Sequence, residues 1–418
     1  MDTEQRRERF GAYLARLRHR AGRSQRQLAV DLCALSGIGS VTRNEVSRWE
    51  RGERLPGAWL PFLAQVLSIP LRDLEDAAAY ARSDGPETFP GVTATLAELM
   101  PPGGALVTIE PRTGRRVGAT EVAGLAARVH GLRLADDVLS GGDLAGPAVR
   151  ELRSAVRLHR EASYGEETGC GLLVQIGELA QICGWILSDA GRHEDAQHVY
   201  ELGVTAARQA GDTPLVAHLA SSLGYQHSNT GREREGVELA RAALDEAGSD
   251  APPKTRALFH DRIAWAHTKA GAAQPALRAL AQAHDALSDG DNCEAPTWAY
   301  WVSQEELEVM DARCFTELRR PLRAVPLLTD VLARYATTHT RELILYRSWL
   351  AIALLDGGEP EAAAAEARTV AELSSDTTSD RALRRTRAVL RRLEDFRDTP
   401  EARAVLDDHG HLMLGRGN

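Results

Sequence analysis

The segment SDAGRHEDA at residues 188–196 returns in altered form as SNTGREREG at 228–236 and as TKAGAAQPA at 268–276. Each copy has a glycine in the same place, between two stretches that favour helix. A glycine at such a point ends one helix and lets the chain turn into the next. A more divergent copy, LDGGEPEAA, follows at 355–363. A regular interval of forty residues predicts an array of helix pairs rather than a single core.

Small residues recur at fixed positions around these turns, where paired helices must approach closely. The three sets are Gly184, Gly191 and Ala196; Gly224, Gly231 and Gly236; and Ala264, Gly271 and Ala276. This spacing resembles the tetratricopeptide repeat, although the unit is about 40 residues long rather than about 34. The resemblance implies that residues 147–418 form an α-solenoid whose first helices line a concave face.

The same resemblance implies which side chains face into that concave groove. An aromatic residue recurs every forty positions, and polar residues flank it. The candidate effector groove comprises Gln181, Trp185, Asp189, Ser221, Tyr225, Asn229, Asp261, Trp265 and Lys269. Aromatic, amide, hydroxyl and charged groups together suit a peptide or a small amphipathic ligand. The alternative is that the aromatic rings only pack between repeats.

Charge separates the first part of the chain from the rest. The net charge of the whole chain is −9, yet residues 1–83 carry +4 and residues 6–54 carry +7. The remaining residues therefore carry −13. A basic segment on an acidic body indicates contact with nucleic acid at one end of the chain.

Apolar spacing predicts five helices in residues 1–83. The first ends near Gly22, and Ser24 caps the second. Thr42 and Glu45 form a T-x-x-E capping box, so the third helix begins at about Arg43. The predicted buried positions of the second and third helices are Leu28, Ala29, Leu32, Leu35, Val46 and Trp49.

Two motifs in this region, SQRQLA at 24–29 and EVSRWERGERLP at 45–56, resemble the Cro/repressor-type helix-turn-helix of the XRE family. The resemblance covers about a fifth of the chain, and the connection LCALSGIGSV is longer than the family's tight turn. It implies a helix-turn-helix domain at residues 1–83 with double-stranded DNA as its partner. The third helix would enter the major groove.

Side chains on the solvent face of the third helix are the candidates for reading bases, since only they can reach base edges. They are Arg43, Asn44, Ser47 and Arg48. Residues around them would contact phosphates and fix the register. These are Arg23, Gln25, Arg26, Arg51 and Arg54. The alternative is that the arginines merely solvate a helical face.

Residues 84–146 are predicted to be a linker and a connecting helix. GPETFPG and MPPGG are typical of linkers, and ALVTIEP at 105–111 with the turn RTGRR favours a short β-hairpin. Helical spacing resumes over 120–139. GGDLAGP then predicts a break before another helix at 148–163.

Motifs for catalysis are missing. The sequence has no phosphate-binding loop, HExxH or GxSxG motif, and its five cysteines form no CxxC pair. We therefore expect a non-enzyme with no catalytic residues, no cofactor and no metal site. An N-terminus without an apolar signal core, and the lack of an uncharged apolar run of ~18 residues, predict a cytoplasmic protein with no membrane partner.

Together these features predict an all-α protein that resembles bacterial regulators, of a type widespread in actinobacteria, in which an XRE domain precedes a tetratricopeptide-like body. The resemblance implies a sequence-specific transcriptional regulator. Its repeat domain would dimerise, or sense a peptide or small-molecule effector, or both. A homodimer would read two half-sites about one helical turn apart. The alternative is a DNA-bound adaptor whose repeats recruit a protein partner without a small effector.

Overall fold

The computed structural model describes residues 3–67, 69, 71–82, 96–100, 115–248, 250–289, 295–334, 340–375 and 379–413. The chain divides into two compact units, residues 1–93 and residues 94–418. All regular elements of the described residues are helical, apart from an isolated bridge between Arg116 and Ser163. The predicted all-α fold is confirmed. The predicted hairpin at 105–111 lies outside the described residues.

Five α-helices make up the described part of the first unit. They are α1 (Thr3–Arg20), α2 (Gln25–Ser36), α3 (Arg43–Glu50), α4 (Leu60–Val66) and α5 (Leu71–Arg82). Ser24 caps α2, and its hydroxyl and the Gln27 side chain form a reciprocal capping box. The Thr42 hydroxyl accepts a hydrogen bond from the backbone N–H of Glu45 and so fixes the start of α3. These local signals place α3 where the sequence predicts it.

One core packs the five helices together. Its fully buried side chains include Phe10, Leu14, Leu28, Leu32, Val46, Leu63 and Leu74. The expectation that Leu35 is buried is wrong, since this side chain is 44% exposed. Leu35 lies in the last turn of α2, which ends at Ser36, and no described helix covers that turn. Helical spacing predicts on which face of a helix a residue lies. It does not show how far along that face another helix packs.

The residues of the second unit that the structure describes form a short helix, α6, and fourteen longer ones. Their bounds are α6 (Leu96–Leu99), α7 (Ala119–Asp136), α8 (Gly141–Glu161), α9 (Glu166–Asp189), α10 (His193–Ala210), α11 (Thr213–Asn229), α12 (Glu233–Ala247), α13 (Pro253–Lys269), α14 (Ala273–Ser288), α15 (Gln304–Glu317), α16 (Pro321–Arg334), α17 (Thr340–Gly357), α18 (Pro360–Ser374), α19 (Asp380–Leu393) and α20 (Pro400–His409). From α9 to α18, each odd-numbered helix pairs with the even-numbered helix that follows it, and α20 packs mainly against α18.

The turns inside these pairs have the backbone that the repeated glycine predicts. Gly191, Gly231, Gly271 and Gly358 adopt φ values of 79°, 83°, 72° and 80°. This left-handed region is open to glycine and costly for other residues. In the pair α15–α16 the equivalent position is Arg319, which has a φ of 53°. The turn geometry therefore persists where the sequence repeat has diverged.

The first helices of the pairs surround a common interior. Helices α9, α11, α13, α15, α17 and α19 each contact the next member of this series. The last then reaches the first, because the Ser379 hydroxyl donates a hydrogen bond of 2.9 Å to Asp189 at the end of α9. Arg384 and His193 make a second contact between α19 and the start of α10, at 3.2 Å. We call this arrangement the inner ring.

A buried ion pair fastens the ring near the same point. Arg341 at the start of α17 binds both carboxylate oxygens of Asp136, the last residue of α7, at 3.0 and 3.3 Å. Both side chains are only 6% exposed. Asp189 lies 4.0 Å from Arg341 and also accepts the backbone N–H of Gly141. Residues about two hundred positions apart in the chain are thus joined in the interior.

Helix α8 begins earlier than the sequence predicts. The expected break at GGDLAGP is wrong, because Gly141 to Pro147 form the first two turns of a helix that runs to Glu161. Pro147 faces solvent, while Leu144, Ala145 and Ala148 are buried on the opposite side. Burial of this apolar stripe overrides the local preference of glycine and proline to end a helix.

Helix α9 has the length and the apolar composition needed to cross a membrane. However, 67% of its most apolar 18-residue window is buried inside the protein, where α7, α8 and α10 pack against it. Among the described residues it is the only such helix. Its apolar surface is accounted for by the core of the second unit.

Candidate functional site

Helix α3 presents a polar face away from the core of the first unit. Arg43, Asn44 and Arg48 are exposed, and Ser47 is half-buried. The opposite face is anchored by Val46 and Trp49, which are 0% and 3% exposed. All four predicted base-reading residues therefore lie on one side of a helix whose other side is fixed in the core.

A buried carboxylate holds α3 against its neighbours. Glu50 accepts hydrogen bonds from Arg18 Nε at 2.5 Å and Arg18 Nη2 at 3.1 Å. It also accepts one from Gln25 Nε2 at 2.7 Å, so three helices meet at one side chain. Arg18 was missed by the sequence reasoning. Its position four residues after Leu14 places it on the buried side of α1, and this spacing could have indicated that Arg18 is buried.

The end of α3 approaches α1 very closely. A Cβ atom on Gly52 would lie 2.6 Å from the backbone of Arg7, and Gly52 has a φ of 73°. A Cβ atom on Gly11 would lie 2.3 Å from the carbonyl oxygen of Glu50. Only glycine fits at either position, so the glycine of the ERG motif fixes the orientation of α3.

The predicted phosphate-contacting residues are placed around α3. Arg23, Arg26, Arg51 and Arg54 are exposed, whereas Gln25 is half-buried and points to Glu50. Arg23 pairs with Asp31, Arg51 with Glu53 and Arg54 with Glu45, at 3.3, 2.8 and 3.7 Å. Exposed pairs of this kind are worth at most about 1 kcal/mol, so they can yield to a phosphate. Arg26 has no ion pair within the part of the chain that the structure describes.

In the second unit, the aromatic residues that recur every forty positions lie in one row. Trp185, Tyr225 and Trp265 stand on α9, α11 and α13. Their ring centroids are 5.3 Å apart for the first two and 6.1 Å apart for the next two, with the ring planes inclined by 30° and 29°. Trp349 of α17 extends the row, at 6.3 Å from Trp265 and edge-on to it.

Arginines cover these rings. Arg262 of α13 lies 5.1 Å from the Trp185 ring and 4.4 Å from the Tyr225 ring. Arg313 of α15 lies 4.3 Å from the Trp265 ring and 4.4 Å from the Trp349 ring. Cation–π attraction at these distances offsets part of the cost of burying a guanidinium.

Helix α19 brings two more arginines to the row. Arg381 lies 5.7 Å from the Trp185 ring, and Arg385 lies 4.8 Å from the Trp349 ring. They are one helical turn apart and face the inner ring. Arg385 also donates a hydrogen bond of 2.9 Å to Glu317. We call Arg262, Arg313, Arg381 and Arg385, together with the four aromatic rings, the arginine–aromatic cluster.

Two adjoining cavities lie in the inner ring beside this cluster. Their volumes are about 170 and about 370 Å³. Both are lined by Trp185, Tyr225, Arg313 and Arg381. The shared walls make them two compartments of one site, which we call the ring cavity.

The predicted groove residues are distributed unevenly around the ring cavity. Those that line it are Gln181, Trp185, Asp189, Tyr225, Asn229, Trp265 and Lys269. Ser221 and Asp261 are buried and line neither compartment. Several lining groups are already bonded within the protein: the Trp265 ring N–H donates to Asn229 at 3.2 Å, and Lys269 pairs with Glu317 at 3.3 Å. Asp189 is held by Gly141 and Ser379.

The electrostatic environment of the ring cavity is positive. Burial alone would raise the pKa of Tyr225, but the charges of Arg313, Arg381 and Arg262 lower this pKa to about 8. Burial raises the pKa of Asp261 to about 6 and that of Glu306 to about 7. The nearby carboxyl groups therefore carry less negative charge at neutral pH than exposed ones would.

The positively charged side chains around the ring cavity were not predicted from the sequence. Arg262, Arg313, Arg381, Arg385 and Trp349 were not among the predicted groove residues. One sign was present: RALRRTRAVLRR at 381–392 places arginines at helical intervals beside apolar residues. The net charge of −13 over residues 84–418 gave no indication of this local group of arginines. Within the described residues, no group of three or more His, Cys, Asp or Glu side chains could hold a metal ion.

The comparison with protein families agrees with the first unit. Residues 9–88 match the model of a helix-turn-helix domain. No curated protein matches the chain at a significant level. The first unit is thus a helix-turn-helix domain with DNA as its partner, which identifies a DNA-binding regulator. The second unit is a region of helical repeats.

Proposed function

We propose that the protein is a sequence-specific transcriptional regulator in which α3 enters the major groove. Arg43, Asn44, Ser47 and Arg48 would contact base edges. Arg23, Arg26, Arg51 and Arg54 would contact phosphates, and Gln25 would join them or act through Glu50. The resemblance of the motifs to the XRE family supports this assignment.

The observation that carries the proposal is the exposed polar face of α3 within a matched helix-turn-helix domain. Arg43, Asn44 and Arg48 lie free of the core while Val46 and Trp49 are buried behind them. Within the described residues, the ion pair of Arg48 is with the neighbouring Glu45, at 3.5 Å, and the Arg48 side chain stays 55% exposed. These side chains can therefore exchange their present contacts for base edges at little cost.

Selection of bound sequences from random DNA by the full chain tests this proposal. We expect one preferred sequence. Asn44→Ala and Arg48→Ala should each reduce its preference over unrelated DNA by about 1–3 kcal/mol. Arg54→Ala is the matched control, because loss of a phosphate contact should weaken binding to all sequences alike. Unchanged preference in both α3 variants would mean that another surface reads the DNA.

For the second unit we propose a tetratricopeptide-like repeat domain that binds a small effector in the ring cavity and joins two chains. The effector would change the arrangement of the inner ring and so alter DNA binding. A cavity lined by aromatic and charged groups favours a small ligand over the alternative, an adaptor that recruits a protein. We also propose that the protein is not an enzyme.

Sedimentation of the full chain with and without its preferred DNA tests the dimer. Two chains on a site with two half-sites about one helical turn apart are expected. A single chain on a single half-site would refute dimeric binding and leave the assignment of α3 intact.

A further inference from the structure

We propose that the ligand of the ring cavity is a small organic anion, with a flat ring and one or more carboxylate or phosphate groups. This inference deepens the proposed effector function and rests on it. The cluster's rings would stack on the flat part, and its arginines would bind the anionic groups.

The first argument is unpaired charge. Arg262 and Arg313 are 4% and 2% exposed, and neither forms an ion pair with a carboxylate of the described residues. Among the described residues, the hydrogen bonds of Arg313 go to the Tyr225 hydroxyl and the Met310 sulfur, both at 2.7 Å, and the buried Asp261 acts on it without a direct ion pair. A buried charge without a counter-ion is costly and is usually paired in proteins.

The second argument is unused hydrogen-bonding capacity. The Nε atoms of Arg262 and Arg313 and one terminal nitrogen of Arg385 are buried without a hydrogen-bond partner in the described part of the chain. Guanidinium groups bind carboxylates and phosphates through two parallel hydrogen bonds. An anion in the cavity would satisfy these donors and balance their charge, whereas a neutral acceptor would accept their hydrogen bonds more weakly and leave the charge in place.

The third argument is the surplus of cations around the cavity. Glu317 is shared by Lys269 and Arg385, so this one carboxylate serves two positive groups. Arg381 lines both compartments and has no ion pair with any described residue. Like Arg381, Arg262 and Arg313 have no ion pair among the described residues, and the buried Asp261 offsets their charges only in part.

The fourth argument is size and shape. The larger compartment, of about 370 Å³, falls within the range of small-molecule sites, about 300–1,000 Å³, and the smaller one, of about 170 Å³, extends it. Trp185 and Tyr225 form a flat wall with their rings inclined by 30°. A flat ring can stack on this wall while its anionic group meets Arg381 and Arg313.

Calorimetric titration of the full chain with 2-naphthoate and with its neutral counterpart 2-naphthamide tests the proposal. We expect saturable binding of 2-naphthoate, and binding of 2-naphthamide that is weaker by about tenfold or more. Inorganic phosphate should compete with 2-naphthoate. Equal binding of the two naphthyl compounds, or no binding of 2-naphthoate, would overturn the proposal.

Variants locate the bound anion. Arg381→Gln should weaken 2-naphthoate binding by about tenfold or more, and Arg381→Lys by less, because lysine keeps the charge. Arg262→Gln should behave like Arg381→Gln. Arg234→Gln, on the exposed surface of α12, is the matched control and should bind normally. Wild-type affinity in both glutamine variants would place the anion elsewhere and refute the site.

A second comparison separates small anions from peptides. A tetraglutamate peptide that binds while 2-naphthoate and phosphate do not would overturn the small-ligand proposal in favour of an acidic peptide. DNA binding is measured in the same samples. If 2-naphthoate binds in an Arg381-dependent way without changing DNA affinity, the anion site stands and the effector function fails. If no anion binds while DNA binding persists, the anion site fails and the regulator stands.

Discussion

The arginines of the two units have opposite environments. In the helix-turn-helix unit, Arg26, Arg48 and Arg54 are exposed and lie in a segment of net positive charge. In the repeat unit, Arg262, Arg313 and Arg341 are buried inside a body of net negative charge. The charge of an exposed arginine is solvated by water, whereas the charge of each buried one depends on its specific neighbours. The difference shows that net charge describes a surface and says little about an interior.

The largest expected effect comes from the buried pair that fastens the inner ring. Arg341→Met should lower the free energy of unfolding by about 3–5 kcal/mol, because it leaves the buried Asp136 carboxylate without its partner. Urea unfolding followed by circular dichroism measures this. Arg51→Met, which breaks the exposed pair with Glu53, is the matched control and should cost at most about 1 kcal/mol. Equal losses in the two variants would contradict the comparison.

The titration of Tyr225 reports the buried positive charge directly. The Tyr225 hydroxyl should ionise with a pKa of about 8, because Arg313, Arg381 and Arg262 stabilise the phenolate more than burial opposes it. Removing one of these charges by Arg381→Gln should raise the pKa toward the ordinary value of about 10. Ultraviolet difference spectroscopy measures the ionisation, and Tyr225→Phe identifies the signal. If the pKa of Tyr225 were the same in the wild-type protein and in Arg381→Gln, the charge of Arg381 would have no influence on Tyr225.

A smaller effect is expected at the divergent turn between α15 and α16. Arg319 is exposed and holds a φ of 53°, which costs a non-glycine residue about 1–2 kcal/mol. Arg319→Gly should therefore stabilise the second unit by about 1 kcal/mol, measured as a rise in its melting temperature of about 2 °C. The reverse change at the equivalent turn, Gly271→Arg, should destabilise it. A lower melting temperature for Arg319→Gly would mean that its side chain has a role beyond the turn.

The smallest effect is expected for a single exposed arginine of the DNA-binding unit. Arg26→Ala should weaken binding by about threefold on preferred and unrelated DNA alike, and should reduce the dependence of log affinity on log salt by about one. Fluorescence anisotropy over a range of salt concentrations measures both. Asn44→Ala, by contrast, should leave the salt dependence unchanged. If Arg26→Ala weakened binding to preferred DNA more than binding to unrelated DNA, Arg26 would be a base-reading residue.

Features set by neighbouring residues could be predicted. The capping residues Ser24 and Thr42 fixed the starts of α2 and α3, and the repeated glycines fixed the left-handed turns at Gly191, Gly231 and Gly271. The forty-residue interval also predicted the row of Trp185, Tyr225 and Trp265. Each of these features depends on contacts within a turn or between adjacent repeats.

Features that depend on distant packing could not be predicted. Pro147 lies inside a helix because the buried stripe around it outweighs local preference, and Leu35 is exposed because nothing described covers the end of α2. Arg381 follows Trp185 by almost two hundred positions, and no periodicity connects them. A periodic pattern along the chain does not show where a distant helix such as α19 packs against the inner ring.

The sequence by itself determined an all-helical chain with a basic helix-turn-helix unit followed by repeated helix pairs, because helix ends and turns obey local steric and hydrogen-bonding rules. Only the tertiary structure decided that α19 returns to α9 and closes the inner ring. That closure removes Arg262 and Arg313 from water, and a guanidinium removed from water needs a counter-charge that an exposed one does not. The same residue type therefore provides surface charge in one unit and lines a buried cavity in the other.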